Sequence, residues 1–162
     1  MRLTTFSDYA LRLLMYAAAI DDRLITIEEV CNVYGISRGH LMKVANLLTR
    51  EGYLKAVRGR AGGLTLAKHP KDIRVGDIVR SSEPDFALVE CFATGNQCIV
   101  TKCCGLPDAL NEALNAFVKT LDKYTLQDLM LKPKDFAPLA KPSAKAPALR
   151  GPRLARGGGR RT

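Results

Sequence analysis

The fold is decided by the stretch TIEEVCNVYGISRGHLMKVANLLTREG, residues 26–52. Thr26 is followed three residues later by Glu29, which fits a capping box and predicts the start of a short helix. Gly35 can take the left-handed conformation that ends such a helix, and Ser37 can cap the next one. Two short helices joined by a glycine-containing turn predict a helix-turn-helix, whose second helix is the one that reads DNA.

The second predicted helix has its polar side chains where a recognition helix needs them. Arg38 and His40 fall in its first turn, the part that reaches base edges, and Lys43 lies one turn further on. Taken singly, each of these residues is an ordinary solvated side chain. As a group behind a capped glycine turn, they favour the DNA interpretation. The candidate DNA-binding residues on this helix are Ser37, Arg38, His40 and Lys43.

A hairpin follows the two helices. Residues 53–58 and 64–67 alternate like two short strands, and the glycine-rich tip between them carries Arg60, with Arg58 just before it. Arginine at a flexible tip suits a narrow minor groove, where the negative potential is enhanced. A phosphate-binding loop is disfavoured because the tip has no Gly-Lys-Ser/Thr and no helix directly after it.

The charge is concentrated in two places. The net charge is +9, and residues 132–162 hold nine Lys/Arg and one acidic residue. Residues 1–131 are almost neutral, but residues 38–74 within them carry nine basic and two acidic groups. Since residues 1–131 are almost neutral in total, the part of them outside residues 38–74 is acidic. A basic patch on such an acidic body predicts a defined surface for binding a polyanion. Residues 132–162 also hold five prolines and four glycines, which predicts a disordered basic tail that adds at most non-specific DNA affinity.

Four of the five cysteines lie in ECFATGNQCIVTKCCGLP, residues 90–107. The N-terminal residues lack the apolar stretch of a signal peptide, and the chain has no apolar run of membrane-spanning length. We therefore expect a cytoplasmic protein without a membrane partner. In reducing surroundings, clustered thiols favour metal or redox chemistry over structural disulfides. An iron–sulfur cluster, a zinc ion and a thiol–disulfide switch are all compatible with this loop.

Helical segments flank these two units. Ser7 is the predicted cap of a first helix with Asp8 in its first turn, and Pro107 opens a long helix that we expect to run to residue 131. That helix carries a heptad seam that could pack on a copy of itself or on the first helix of its own subunit. A dimer is favoured because two-fold readers bind palindromic half-sites. The seam consists of Leu110, Leu114, Phe117, Leu121 and Tyr124.

The predicted fold class is mainly α with a small β-hairpin wing. We divide the chain into a winged helix-turn-helix at 1–80, a cysteine-rich loop at 81–106, a dimerisation helix at 107–131 and a basic tail at 132–162. An enzyme is disfavoured, since there is no nucleophile–base pair and no cofactor fingerprint, and both histidines lie in the DNA-reading half. A metal-stapled interaction module without DNA contact is a third class.

Three segments carry a resemblance to a known family. Residues 36–44, 52–64 and 66–70 resemble the winged-helix repressors of the Rrf type, and the resemblance extends over about residues 1–130. Within that family, the cysteine loop is most similar to that of the nitric-oxide-sensing repressors and also resembles that of the iron–sulfur-status regulators. The resemblance implies an operator-binding homodimer that carries a 4Fe–4S or 2Fe–2S cluster and leaves DNA when nitric oxide nitrosylates the iron.

The same resemblance implies a set of cluster ligands. Cys91, Cys98 and Cys104 would be the thiolates, with Asp8 of the other subunit as the fourth ligand and Cys103 as an extra thiol that could exchange. The iron–sulfur-status regulators use a histidine after the third cysteine, and residues 105–108 contain none. Arg12, one turn beyond Asp8, could orient its carboxylate or simply be an exposed helix charge.

Overall fold

The computed structural model describes residues 2–136, so residue 1 and most of the predicted tail, 137–162, lie outside the described residues. The described part confirms the predicted fold class, since helices dominate and one small hairpin is present. The elements in chain order are α1 (Thr5–Ala19), α2 (Ile27–Tyr34), α3 (Arg38–Arg50), β1 (Leu54–Val57), β2 (Gly63–Leu66), α4 (Val75–Ser82) and α5 (Leu106–Leu121).

The start of α1 differs from the prediction. The cap is Thr4, whose hydroxyl accepts a hydrogen bond from the Ser7 backbone N–H at 3.2 Å. Ser7 is fully buried instead, and its hydroxyl accepts from Ser82 Oγ at 2.8 Å. The helix begins earlier because Glu83 Oε1 accepts from the Thr4 N–H and the Thr4 hydroxyl, at 2.8 and 3.1 Å, which holds Thr4 in the cap position. Asp8 lies in the first turn, as predicted.

The helix-turn-helix agrees with the sequence. Thr26 and Glu29 form the reciprocal capping box at the start of α2. Gly35 ends α2 with φ of 66°, a left-handed conformation that glycine adopts without steric cost. Ser37 occupies the cap position of α3, although its hydroxyl bonds to His40 Nδ1 at 3.0 Å and not to the helix backbone.

The wing is an antiparallel hairpin in which Leu54 pairs with Leu66 and Val57 with Gly63. The hairpin is joined to the segment before α2, since Ile25 and Leu64 exchange two backbone hydrogen bonds of 3.0 and 2.8 Å. This pairing fixes the position of the wing relative to the two helices that precede it.

The core lies between α1, α3 and the hairpin. Leu13 and Leu14 of α1 and Leu41 and Leu48 of α3 are all inaccessible to solvent, and each such leucine contributes about 1.5–3 kcal/mol on burial. Leu126, which follows α5, is equally inaccessible, and its N–H donates to the Ile73 carbonyl at 2.8 Å. The chain after α5 therefore returns to the core of the DNA-reading domain.

The last long helix is shorter than predicted. α5 ends at Leu121 and not at residue 131, and Tyr124 of the predicted seam lies beyond it. No side chain of α5 is buried. The helix ends here because the next residues turn back towards α4 and the core, where Thr125 pairs with Arg74.

A close contact joins α4 to the end of α5. Arg80 donates to both carboxylate oxygens of Asp122, at 2.6 and 3.2 Å. These hydrogen bonds lower the pKa of Asp122. A Cβ atom on Gly76 would lie 1.9 Å from Asp122 Oδ1, so a larger residue there would displace the Asp122 carboxylate from its present position.

Residues 132–136, the first part of the predicted tail, are folded. Pro133–Phe136 form a short 3-10 helix. The Phe136 ring packs edge-on against Tyr16 and Tyr34, with centroid distances of 5.1 and 6.2 Å. The prediction of disorder was wrong for these residues because a single aromatic side chain docks the segment on α1 and α2.

Candidate nucleic-acid interface and sensor loop

The recognition helix divides its side chains between core and solvent. Ser37, Arg38, His40 and Lys43 are all exposed, while Leu41, Val44 and Leu48 of α3 are buried in the core. The His40 ring lies between the Ser37 hydroxyl and the Tyr9 ring, whose centroid is 6.4 Å away. The structure therefore places the four predicted residues on the open side of the N-terminal half of α3.

The wing presents the two predicted arginines. Arg58 and Arg60 are exposed, one at the end of β1 and the other in the turn that follows. The turn closes through a hydrogen bond from the Gly62 N–H to the Gly59 carbonyl at 3.0 Å. A compact tip with two exposed guanidinium groups can reach phosphates and the minor groove.

The cysteine loop is open and held by local hydrogen bonds. Cys98 and Cys103 are exposed, and Cys91 and Cys104 are half-buried. Among residues 2–136, no three His, Cys, Asp or Glu side chains lie close enough to hold a metal ion together. Within one chain, the structure thus does not bring three members of the predicted ligand set together, and Asp8 lies on a different element from the thiols.

The donor chemistry nevertheless fits an iron–sulfur cluster and separates the two adjacent cysteines. Cys104 Sγ accepts a hydrogen bond from the Leu106 N–H at 3.4 Å, a contact that stabilises a thiolate ligand. Cys103 Sγ instead donates to the Val100 carbonyl at 3.4 Å. The two adjacent thiols therefore differ in their local hydrogen bonds.

Asp8 is held by the residue predicted to orient it. Arg12 Nε and Nη2 lie 2.9 Å from the two carboxylate oxygens of Asp8, and both side chains are about half exposed. The Arg12 guanidinium also lies 5.7 Å from the centre of the Tyr34 ring. Arg12 therefore connects the Asp8 carboxylate to the last residue of α2.

A polar network that the sequence did not predict joins the start of α1 to the end of α4. Ser82 at the end of α4 donates to Ser7 in the first turn of α1, and Glu83 accepts from Thr4, the cap of α1. The chain then runs from Glu83 into the cysteine loop. The only sign of this network in the sequence is that small hydroxyl residues occur near both helix ends. Ser7 and Ser82 are 75 positions apart, so no local pattern predicts that they pair.

A second missed network stabilises the start of the helix-turn-helix. Arg23 Nη1 and Nη2 bind the two carboxylate oxygens of Glu29, and the Tyr16 hydroxyl donates to Oε1 at 2.5 Å. Hydrogen bonding to Arg23 lowers the pKa of Glu29 to about 2. Burial, with the Glu29 contact, raises the pKa of Tyr16 to about 12.

A capped helix-turn-helix with a basic open face, followed by an arginine-tipped hairpin, defines a transcription regulator of the winged-helix class. The family model for Rrf2, described as an iron-dependent transcriptional regulator, matches residues 3–132. The chain belongs to the Rrf2 family. This confirms the resemblance that the sequence carries and the prediction that the chain is a regulator and not an enzyme.

Individual relatives agree with the family. The chain is 46% identical over 143 residues to the HTH-type transcriptional regulator NsrR of Bacillus subtilis, covering 87% of this chain and 98% of that protein. It is also 46% identical to the NsrR regulator of Geobacillus kaustophilus, covering 80% of this chain and 90% of that protein. The solved structure of T. potens IscR superposes with a TM-score of 0.62 at 25% identity, covering 80% of this chain and 85% of that one.

The helices of residues 2–136 have at most 16 residues. None of them combines sufficient length with sufficient apolar character to cross a bilayer.

Proposed function

We propose that the chain is a cytoplasmic transcriptional repressor of the NsrR type, which senses nitric oxide through an iron–sulfur cluster. The observation that carries the proposal is the cysteine loop, together with 46% identity to a regulator of that name over nearly its whole length. The cluster supplies iron atoms that react with nitric oxide. The protein residues supply the ligands, the DNA-reading surface and the connection between them.

Cys91, Cys98 and Cys104 would hold the cluster within one chain, and Asp8 of a second copy would complete the set. In a single chain, the Asp8 carboxylate is engaged by Arg12 through two contacts of 2.9 Å. Each oxygen keeps a further lone pair beyond these contacts, so the carboxylate could bind iron beside Arg12. Arg12 would orient the Asp8 carboxylate while it binds iron. After the cluster is lost, Arg12 would hold the carboxylate by hydrogen bonds, as in the single chain.

A homodimer would bring these parts together. The apolar stripe of α5 is only half-buried in the single chain, with Leu114 and Phe117 lining an open groove of about 450 Å³ against Leu3, Phe86 and Leu88. A second copy of α5 would cover this stripe, as coiled-coil packing covers a heptad seam. It would also set two recognition helices at the spacing of operator half-sites.

In this arrangement, each subunit reads one half-site. Ser37, Arg38, His40 and Lys43 would enter the major groove, and Arg58 and Arg60 of the wing would reach the flanking minor groove and phosphates. The contact between α4 and α5 connects the helix next to the sensor loop to the reading domain. Loss of the fourth ligand would therefore change the relative position of the two reading heads.

The test is an anaerobic titration with nitric oxide. Protein made in iron-replete cells without oxygen should absorb visible light and show the mass of a cluster in native mass spectrometry. Operator affinity should fall as nitric oxide is added in proportion to cluster. Cluster-loaded protein that keeps its operator affinity after stoichiometric nitric oxide would contradict the proposal.

Adjacent cysteines provide a matched pair of variants. Cys104→Ser should abolish cluster absorption, whereas Cys103→Ser should leave it intact, because the two thiols differ in whether they accept or donate a hydrogen bond. Retention of cluster absorption in both variants would show that either thiol can serve, and equal loss would show that both are needed.

The structural likeness to IscR favours one second candidate, a regulator of iron–sulfur status within the same family. In that case, removal of the cluster would change operator choice without nitric oxide. A colourless protein containing zinc, or one whose DNA affinity follows reversible thiol oxidation, would instead indicate a zinc or thiol switch.

A further inference from the structure

The tip of the cysteine loop exposes two adjacent apolar side chains. Ile99 is 97% exposed and Val100 is 47% exposed. Apolar residues that occur singly on a surface are common and need no explanation. These two are neighbours in one loop, and they directly follow Cys98, one of the predicted cluster ligands. The pair is therefore a candidate contact surface.

Local hydrogen bonds hold this tip in a defined turn. The Thr101 N–H and the Thr101 hydroxyl both donate to the Cys98 carbonyl, at 3.3 and 2.8 Å. The Asn96 side chain accepts from the Cys98 N–H at 2.9 Å and donates to the Thr101 hydroxyl at 2.8 Å. Ile99 and Val100 are the two central residues of this turn, where glycine, proline, asparagine, aspartate and serine are the usual residues. The turn forms against these preferences and presents the apolar pair outward.

A groove beside Asp8 offers an apolar surface of matching size. We call it the Asp8 groove, and it has a volume of about 400 Å³. Pockets of roughly 300–1,000 Å³ hold small organic molecules, so the space is sufficient for two aliphatic side chains. Leu3 and Leu11 provide its apolar wall. The full set of lining residues is Arg2, Leu3, Thr4, Thr5, Asp8 and Leu11.

The Asp8 groove is continuous with the groove along α5. Arg2, Leu3 and Thr4 line both of them. One channel therefore runs from Asp8 on α1 to Leu114 on α5. The proposed dimer covers the α5 part of this channel with a second copy, so the Asp8 groove lies at the edge of the same interface.

The loop tip of a second copy is the occupant that fits this position. The tip of the same chain does not fill the groove, since Ile99 is almost fully exposed. In the proposed dimer, Asp8 binds the cluster of the other copy, whose thiolates include the partner's Cys98. Ile99 follows Cys98 directly, and consecutive Cα atoms are only about 3.8 Å apart. An arrangement that brings the partner's Cys98 to Asp8 therefore also brings the partner's Ile99 to the groove that Asp8 lines.

We propose that the apolar tip of the cysteine loop, Ile99 and Val100, docks in the Asp8 groove of a second copy, against the partner's Leu3 and Leu11. In a two-fold dimer the contact is reciprocal and occurs twice. The inference rests on the proposed homodimer and adds to it the contact that aligns each loop with the Asp8 carboxylate. Burial of apolar surface supplies the affinity, so the carboxylate itself is left available as a ligand.

The main test is photo-cross-linking of the full chain, purified without oxygen, with Ile99→p-benzoylphenylalanine. This chain is mixed with an excess of isotope-labelled unaltered chain, so that most of it is in mixed dimers. Cleavage after arginine and lysine releases the groove residues as the peptide 3–12 and the loop tip as the peptide 81–102. Irradiation should join the unlabelled peptide 81–102 to the labelled peptide 3–12.

The labels distinguish the possible occupants. Cross-links from position 99 that stay within one chain, or that join another part of the labelled chain, would overturn the inference. The reciprocal probe, Leu3→p-benzoylphenylalanine, should join the labelled peptide 81–102. A cross-link from position 3 to residues 137–162 would instead show that a different segment occupies the groove.

A second test measures the dissociation constant of the dimer by sedimentation at equal cluster content. Burial of one isoleucine is worth about tenfold or more in an equilibrium constant. Because the contact occurs twice, Ile99→Ser should raise the dissociation constant by about 100-fold. Val57→Ser is the matched control, since Val57 is 40% exposed and lines neither groove. It should leave the dissociation constant unchanged.

The two proposals fail in different ways. A stable dimer whose dissociation constant is the same with Ile99→Ser would overturn the docking and leave the proposed dimer intact. A chain that sediments as a monomer even when concentrated and loaded with cluster would overturn both.

Discussion

The most direct consequence of the fold concerns Leu126, which lies outside every helix of the DNA-reading domain but within its core. Leu126→Ala removes three carbon atoms from a position with no solvent exposure. The lost transfer free energy is about 2.4 kcal/mol, at about 0.8 kcal/mol per methylene, and incomplete collapse of the cavity adds to it. We expect the free energy of unfolding to fall by about 3–4 kcal/mol.

The matched control is Leu131→Ala, five residues further along. Leu131 is 41% exposed, and truncation of an exposed side chain of this kind costs about 0.5 kcal/mol or less. Urea unfolding followed by circular dichroism gives both values. The backbone hydrogen bond from Leu126 to Ile73 also predicts faster amide exchange at Leu126 in the variant.

The two variants test a specific arrangement. If the segment after α5 belonged to a separate dimerisation unit, Leu126→Ala would change the stability of the reading domain as little as Leu131→Ala does. A cost below about 1 kcal/mol for Leu126→Ala, a fraction of the value for a buried leucine, would therefore refute the reasoning.

Three further predictions follow from the site. Ser7→Ala and Ser82→Ala should each lower the urea unfolding free energy by about 1 kcal/mol, and the double variant should cost less than their sum, because the two hydroxyls share one buried hydrogen bond; strict additivity would argue against the network. Arg60→Ala should weaken operator binding most where the flank is rich in A·T pairs, as measured by fluorescence anisotropy on matched duplexes, and an equal loss on all flanks would exclude minor-groove reading. The pKa of Glu29 is about 2 when folded and 4.5 when unperturbed, so its contribution to stability is present above about pH 4.5 and is lost as the pH falls towards 2. Glu29→Gln should flatten this acid limb in urea titrations, and an unchanged limb would assign it to other carboxylates.

The reading domain was predictable because local chemistry determines it. The Thr26–Glu29 capping box and Gly35 mark the ends of α2 by short-range hydrogen bonding and backbone conformation. The alternation of residues around the glycine-rich tip likewise determines the hairpin. Such signals involve only residues within about three to ten positions of one another, so they can be recognised from the sequence alone.

Long-range contacts were less predictable. Serine is a preferred residue at a helix N-terminal cap, and Ser7 was therefore predicted there. Thr4 is the cap instead, because Glu83 binds it from 79 positions away. The heptad spacing continued to Tyr124, but the helix stops at Leu121 because the chain turns back to bury Leu126. The ligand set was inferred from resemblance alone, and the described conformation of one chain does not bring three of its members together.

The lack of any buried side chain on α5 has a consequence for how the regulator behaves in a cell. Most of the stability of a helix in a protein comes from packing of its apolar face. In the proposed dimer, that surface comes from another molecule, so mass action governs the ordered state of the sensor half. At low protein concentration, a larger fraction of the molecules would be monomers. A monomer can neither complete the ligand set nor bind both half-sites of an operator. The cellular concentration of the repressor would therefore affect how strongly it responds to its signal.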